Sequence, residues 1–250
     1  MNLKRIAILI LFPYLCYPLE KEGANITTQE ILKNVEDHLI TESDFEITIS
    51  VESYKNNKIG EVIVMKGIVE RGKITSLSYI EPKNMKGKKI VIKGNEMWVI
   101  VPNTKNPIPI SPSQRLMGGI SFGDINRLTY SDDYNPRLAG IESVDGKSAD
   151  GETITILDCY RLELTAKKEG LSYNKIVMWV DPVDFLPVKS EFFSLSGKKM
   201  MKAYYTATEE WLGKLTFTEI YLYDMVNTSI SSKVKYSDLK IISSNETSGD

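Results

Sequence analysis

Short segments that alternate polar and apolar residues follow one another along most of this chain. The first, residues 46–52, places isoleucine and valine at every second position, as a strand with one wet and one buried face requires. Further strand candidates follow at short intervals, separated by turn residues, at 61–70, 74–80, 88–93, 97–101, 138–144, 153–166, 174–180, 187–195, 198–206, 215–222 and 229–236. The pattern predicts a mainly β protein with very little helix.

The turns between these segments indicate how the strands pair. Gly94-Asn95 and Ser196-Gly197 are hairpin signals, and such short connections join antiparallel neighbours. Because twist accumulates over this many strands, the antiparallel, meandering sheet is expected either to curl toward a barrel or to split into a sandwich. No linker rich in proline or glycine divides the sequence, so residues 25–250 are predicted to form a single domain.

A helix is predicted before the first strand. Thr27 and Glu30 have the spacing of a capping box, in which the hydroxyl and the carboxylate each accept a hydrogen bond from a free backbone N–H group. Ile31, Leu32 and Val35 then recur at helical spacing, which predicts an amphipathic helix over 28–40.

The first residues have the features of an export leader. Lys4 and Arg5 precede an apolar run at 6–15 that is too short to span a bilayer as a helix. We expect residues 1–24 to be a signal peptide and the mature protein to be periplasmic. Two processing routes remain open: cleavage near Gly23-Ala24, or lipidation of Cys16, which would anchor the chain to a membrane.

Composition argues against several function classes. With 31 basic and 33 acidic side chains, the chain has no net field suited to binding nucleic acid. One histidine, His38, and two cysteines are too few for a His/Cys zinc cluster. The Asp132-Asp133 pair is typical of a turn or a helix cap, so no enzymatic activity and no cofactor are expected. Cys159 is predicted to be a small buried residue in a strand.

One long connection, residues 102–134, interrupts the run of strands. It contains four prolines and the pair Gly118-Gly119, which has the freedom to act as a hinge. Ser113 or Ser121 has the right chemistry to cap a short helix that carries Phe122 and Ile125. A connection of this length in a compact domain either covers a functional site or packs as a surface loop on one end of the sheet.

Several segments resemble the LolA-like outer-membrane lipoprotein-sorting proteins. The most specific are WVIVP at 98–102, SQRLMGG at 113–119 and SFGD at 121–124. WVDP at 179–182 and LPVKSEFF at 186–193 are similar to a strand-turn-strand pattern of that family, and the resemblance extends over nearly all of the mature chain.

The resemblance implies a strongly curved antiparallel sheet that forms a half-open barrel, with an N-terminal helix, a helical lid segment and a hydrophobic cavity. It also implies a monomeric, non-enzymatic carrier that moves lipid or lipoprotein acyl chains through the periplasm toward the outer membrane, served by an inner-membrane transporter or an outer-membrane acceptor. Two alternatives remain on the same scaffold: a lipid-occupancy sensor similar to RseB, or an accessory protein of a membrane lipid transporter.

Apolar and lid residues are the candidates for lipid binding. Strand alternation places Trp98 and Ile100 on one face of their strand and Met97 and Val99 on the other, and we expect the tryptophan face to line the cavity. Of Phe192 and Phe193, only one can point inward. The predicted lipid-binding residues are Trp98, Ile100, Arg115, Leu116, Met117, Phe122, Ile125, Trp179 and Phe192.

Overall fold

A single large antiparallel sheet dominates the computed structural model, which describes residues 26–38, 44–70, 73–93, 96–126, 130–148 and 151–242. The predicted signal peptide, Cys16 and the Gly94-Asn95 turn lie outside these residues. The helices are α1 (Thr28–Asp37) and α2 (Phe122–Asn126). The strands are β1 (Phe45–Lys55), β2 (Lys58–Glu70), β3 (Lys73–Glu81), β4 (Lys89–Lys93), β5 (Glu96–Ile100), β6 (Ile108–Ile110), β7 (Arg115–Met117), β8 (Ile120–Ser121), β9 (Tyr134–Lys147), β10 (Thr153–Ala166), β11 (Lys175–Val180), β12 (Pro187–Phe193), β13 (Lys199–Trp211), β14 (Lys214–Asp224) and β15 (Ile230–Ile241).

Thirteen of these strands form the sheet, in the order β6-β5-β4-β3-β2-β1-β15-β14-β13-β12-β11-β10-β9. Every neighbour except the β1–β15 pair is also a neighbour in sequence, so the predicted antiparallel meander is confirmed. The sheet curls until β9 contacts β12 and β13, yet β6 and β9 remain unpaired with each other. The fold is therefore the expected half-open barrel rather than a sandwich or a closed barrel.

Most strands lie where the sequence pattern predicts them, and three differences bear on function. β13 extends to Trp211 and β14 begins at Lys214, so their hairpin is longer than the predicted segments. β15 extends to Ile241, beyond its predicted end at 236. Three short strands, β6 to β8, lie in the connection that was predicted to contain no strand. They are short because proline and glycine interrupt them, which leaves little periodicity to detect.

The main core lies on the concave face of the sheet. In β1, Phe45, Ile47, Ile49 and Val51 are buried, while the residues between them are partly exposed. A second, smaller cluster lies on the opposite face and contains Val144, Cys159, Val177, Trp179 and Val188. The prediction for Cys159 is confirmed, since its thiol is fully buried and burial raises its pKa to about 11.

Helix α1 packs on the concave side, where it contacts β9. The predicted capping box is present: the Thr27 hydroxyl accepts from the Glu30 N–H group, and the Glu30 carboxylate accepts from the Thr27 N–H group at 2.7 Å. Ile31, Leu32 and Val35 are buried, as the helical spacing predicts. The helix ends at Asp37, and the last two predicted positions lie outside the described residues. Neither described helix has the length and hydropathy needed to span a membrane.

Glu36 is the buried acidic residue of α1. Its carboxylate accepts hydrogen bonds from the backbone N–H groups of Tyr130 and Ser131, at 2.5 and 2.6 Å, and from the Ser131 hydroxyl at 2.8 Å. These bonds satisfy donors that would otherwise be buried without a partner, and they tie the helix to the chain just before β9.

Replacing Glu36 with alanine should lower the free energy of unfolding by ~2–4 kcal/mol, because two backbone donors lose a charged acceptor. Urea unfolding followed by circular dichroism measures the change. Asp37→Ala, at an exposed position on the same helix, is the control and should stay within ~0.5 kcal/mol of the wild type. Equal effects of the two substitutions would contradict the anchoring role of Glu36.

Candidate functional site

An apolar pocket opens at one end of the concave face, and we call it the mouth pocket. The space between its walls amounts to about 540 Å³, counting the part open to solvent. Its walls come from the two chain-terminal parts of the sheet: Phe45, Ile47, Val69, Ile74, Trp211, Thr216, Phe217, Tyr236 and Leu239, with His38 and Lys214 among the lining residues. Most of this surface offers contacts only to hydrocarbon.

A second pocket of about 530 Å³, again counting the part open to solvent, adjoins the first, and we call it the lid pocket. It is lined by Tyr130, Phe192, Ala203, Tyr205, Phe217, Ile220, Leu222, Val234 and Tyr236, and by Asp124 from α2. Phe217 and Tyr236 line both pockets, so these two rings stand at the boundary between them.

The boundary is a row of three aromatic side chains. The Tyr205 and Phe217 ring centroids are 4.8 Å apart, and the Phe217 and Tyr236 centroids are 6.4 Å apart, both with edge-to-face geometry. Burial raises the pKa of the Tyr236 phenol, which therefore stays neutral at physiological pH. Phe217 and Tyr236 thus form a wall that the two pockets share.

The long connection of the sequence forms the lid segment, residues 107–126. Its strands β7 and β8 make a small hairpin whose turn is Gly118-Gly119, with φ values of 55° and 95°. A Cβ atom on Gly118 would lie 2.7 Å from the Ser53 Cβ atom and 2.6 Å from the Ser232 hydroxyl. The glycine pair thus makes a tight turn in direct contact with β1 and β15.

Hydrogen bonds fasten the lid segment to the sheet near its turn. The Ser232 hydroxyl donates to the Gly118 carbonyl at 2.9 Å. The Arg115 guanidinium lies 3.3 Å from the buried carboxylate of Asp224, which also accepts from two backbone N–H groups of the β14–β15 turn. The lid turn is therefore held by both neutral and charged bonds.

Helix α2 has its own polar anchor. As predicted, Ser121 precedes this short helix, and its N–H and hydroxyl groups donate to the Asp124 carboxylate at 2.6 and 2.8 Å. The Tyr173 hydroxyl donates to the other Asp124 oxygen at 2.8 Å. Asp124 is thus a fixed acceptor at the wall of the lid pocket.

His38 closes α1 at the edge of the mouth pocket. Its Nδ1 atom contacts the Leu215 carbonyl oxygen, and its Nε2 atom lies 2.5 Å from the Asp184 carbonyl oxygen. The imidazole ring thus lies between these two carbonyl oxygens. His38 therefore holds the β14 backbone and the β11–β12 loop next to each other at the mouth.

Known proteins with this architecture place the chain in a family. A family model described as an uncharacterized protein matches residues 72–246. A LolA superfamily protein from Nitrosomonas europaea superposes with a TM-score of 0.76 at 28% identity, covering 87% of this chain and 94% of that chain. The chain belongs to the family of this model, and to the LolA superfamily. No curated protein matches its sequence.

Two more distant structures share the LolA-like fold. A DUF1329 family protein from Desulfovibrio piger has a TM-score of 0.69 at 20% identity, over 89% of this chain and 95% of that one. A domain from Vibrio parahaemolyticus, described as an outer membrane lipoprotein-sorting protein, has a TM-score of 0.69 at 17% identity, over 88% and 93%. At these identities the similarity concerns the fold alone.

Five of the residues predicted from the LolA-like resemblance lie in or against the main core. Met117, Phe122 and Ile125 are buried in it, and Leu116 is half-buried against it. Phe192 lines the lid pocket, while Phe193 points to the second cluster on the opposite face, so one of the two phenylalanines points inward as expected. Their contact with lipid stays a prediction.

The expectation that the tryptophan face of β5 lines the interior is corrected by the structure. Met97 is buried in the main core and Val99 packs against it, whereas Trp98 is half-buried and Ile100 is exposed. Alternation separates the two faces of a strand, but it does not state which face is inside.

Trp179 and Arg115 also lie away from both pockets. Trp179 belongs to the second cluster, and its indole N–H group donates to Glu142 at 2.8 Å. Arg115 is largely exposed and pairs with Asp224. The structure therefore separates Trp98, Ile100, Trp179 and Arg115 from the cavity walls.

Sequence reasoning did not single out the residues that form most of the mouth pocket. Ile47 and Tyr236 lie in segments that were predicted as strands, and Phe45 directly precedes one, but ordinary core positions have the same alternation. Trp211 lies beyond the predicted end of its strand. The available signal was the number of aromatic residues in β13 and β14, which lie at irregular spacing and do not by themselves indicate a pocket.

Gly118→Ala should lower the free energy of unfolding by ~2–4 kcal/mol, because the new methyl group meets Ser53 and Ser232 at a left-handed backbone position. Gly170→Ala is the matched control, since Gly170 also has positive φ but has open space around it. It should cost only ~1 kcal/mol. Urea unfolding of both variants measures the difference, and equal costs would show that the lid turn does not contact the sheet.

Proposed function

We propose that this protein is a non-enzymatic carrier that binds acyl chains of lipids or lipoproteins and moves them through the periplasm toward the outer membrane. The observation that carries the proposal is the pair of adjoining pockets on the concave face, whose walls are mostly apolar. Similarity to a LolA superfamily protein, and to a domain described as an outer membrane lipoprotein-sorting protein, supports the same direction. An inner-membrane transporter that loads the carrier and an outer-membrane acceptor complete the proposal.

Hydrocarbon burial supplies the driving force. Each CH₂ group transferred from water to an apolar site contributes ~0.8 kcal/mol, so a chain of about sixteen carbons offers roughly 12 kcal/mol before the costs of binding. A cargo of this kind needs an apolar wall on most sides, which the mouth pocket provides with Phe45, Ile47 and Leu239. The cargo does not require a reactive group, and among the described residues no metal-binding group of histidine, cysteine and carboxylate side chains is present.

The proposal assigns separate roles to the two pockets. The mouth pocket receives the end of the acyl chain that enters first, and rotation of Phe217 and Tyr236 extends the site into the lid pocket. Phe192 lies in the wall of the lid pocket, while Met117, Phe122 and Ile125 pack in the adjacent core and hold the lid segment over it. Export by the signal peptide, with or without an anchor at Cys16, places this carrier in the periplasm.

Leu239→Glu should reduce the affinity for a fluorescent fatty acid by at least tenfold, because it places a carboxylate in the wall of the mouth pocket. Leu239 is only half-buried, so the fold should tolerate the change. Leu157→Glu, at an exposed position away from both pockets, is the control and should bind like the wild type. Fluorescence titration gives the affinities, and far-UV circular dichroism checks the fold.

A wild-type protein that takes up no fatty acid and carries no lipid in native mass spectrometry would overturn the proposed function. Equal affinities of the wild type and Leu239→Glu would show that the mouth pocket does not bind the acyl chain.

Phe217→Leu should shift the preferred acyl chain toward greater length, because a smaller side chain at the boundary joins the two pockets. Competition with saturated fatty acids of increasing length measures the preference. Phe193→Leu, on the opposite face of the sheet, should leave the length profile unchanged. An identical profile for Phe217→Leu and the wild type would mean that the two pockets do not form one site.

A further inference from the structure

Exposed apolar side chains surround the opening of the mouth pocket. Val183, in the β11–β12 loop, is 85% exposed, and Leu212, at the tip of the β13–β14 hairpin, is 44% exposed. Leu215 and Ile241 are exposed beside them. We call these four residues the mouth rim.

Three contacts place the mouth rim at the pocket opening. His38, which lines the pocket, bonds to the carbonyl groups of Leu215 and Asp184, and Asp184 directly follows Val183. Leu212 lies between Trp211 and Lys214, which also line the pocket. Ile241 pairs with Phe45 across the β1–β15 ladder, and Phe45 is a pocket wall.

The backbone of Leu212 is unfavourable for leucine. Trp211 and Lys214 pair directly, so Leu212-Gly213 is a two-residue hairpin turn, with φ values of 53° and 77°. Turns with positive φ at both central residues favour asparagine, aspartate and glycine, because a larger Cβ branch clashes with the backbone in the left-handed region. Neither backbone geometry nor burial explains a leucine here, which indicates a contact outside the molecule.

The neighbouring Trp211 is suited to the same contact. Its ring is half-buried in the pocket wall, and its indole N–H group donates to the Glu209 carboxylate at 3.1 Å. An amphipathic tryptophan of this kind is typical of residues at the boundary between lipid and water.

We propose that the mouth rim docks on the surface of a zwitterionic phospholipid bilayer. This inference rests on the proposed function, since a carrier whose opening meets the bilayer transfers an acyl chain without exposing it to water. The apolar side chains project from a loop, a hairpin turn and the ends of two strands rather than forming a groove, and separate projections fit a fluid bilayer better than a folded protein partner.

The charges around the mouth rim select the type of lipid. On the described segments around the opening lie the carboxylates of Asp37, Asp184, Glu209 and Glu210, against the amines of Lys214 and Lys240. Because acidic groups are in excess, anionic headgroups repel this part of the protein, whereas a bilayer surface with no net charge does not. Anionic lipid should therefore weaken the docking.

The test is flotation of the full-length mature protein with vesicles of phosphatidylcholine. The wild type should float with them, and the double variant V183N/L212N should bind at least tenfold more weakly, because two apolar contacts with the bilayer are lost. Leu195→Asn is the control: Leu195 is 85% exposed at the opposite end of β12, and its replacement should not change flotation. Adding about 30 mol% phosphatidylglycerol should reduce binding of the wild type at low salt.

A second measurement separates docking from a structural role of Leu212. Asparagine is favoured at this backbone position, so Leu212→Asn should raise the Tm by ~2 °C or more while it lowers vesicle binding. A structural leucine would give a lower Tm.

Different results would overturn membrane docking by the mouth rim and acyl-chain binding by the pockets. Val183 and Leu212 do not line either pocket, so V183N/L212N should take up fluorescent fatty acid in vesicle-free solution like the wild type. A wild type that takes up fatty acid but does not float would overturn the docking inference alone. Flotation that is unaffected by V183N/L212N, stronger binding to anionic vesicles, or rim-dependent binding to a protein instead of vesicles would overturn it as well.

Discussion

The pairing of the first strand with the last is the constraint on which the rest of the structure depends. β1 and β15 pair in register through Val51 and Val234, both buried, and every other pair in the sheet joins sequence neighbours. This long-range pairing pays the entropy of closing most of the chain into one loop, and the burial of the concave face offsets that cost. Because of it, the mouth pocket has walls from both ends of the chain: Ile47 comes from β1, and Leu239 comes from β15.

The lid segment uses the same junction. Ser53 and Ser232 face each other across the β1–β15 ladder, and these two small side chains leave the space into which Gly118 fits. A larger residue at any of the three positions would push the lid turn off the sheet. The Ser232 hydroxyl then bonds to the Gly118 carbonyl, so the pair supplies both the space and a specific hydrogen bond. The register of the terminal strands thus determines where the lid is attached.

Structural features that depend on neighbouring residues in the chain are predicted from the sequence, whereas features that depend on the pairing of distant strands are not. The capping box at Thr27 and the alternation in β1 are local, and both are present as predicted. The prediction that Trp98 lies on the buried face of β5 was wrong, because the alternation within a single strand does not indicate on which side the sheet curls. Trp179 was also predicted to line the cavity, but it lies on the outer face of the sheet. A bulge at Asp158, with φ 56°, bends the β9–β10 hairpin, and Val144 and Cys159 then cover the tryptophan there. The positions of the pocket walls depend on the direction in which the sheet curls and on such bulges, and the sequence pattern indicates neither.

The two ends of the cavity differ in how firmly they are held, and this difference indicates the path of a bound chain. At the lid end, the carboxylates of Asp224 and Asp124 are buried or half-buried, and each accepts several hydrogen bonds. Opening there would break hydrogen bonds to these charged groups. At the mouth, the bonds across the opening join His38 and the Asp37 carbonyl group to β14 and the β11–β12 loop, and none of them involves a carboxylate. Opening at the lid, in contrast, separates Arg115 from the buried carboxylate of Asp224, so opening at the mouth leaves fewer buried charges without a partner. In the proposed carrier, an acyl chain therefore enters and leaves past His38, while the lid segment serves as the fixed inner end of the cavity.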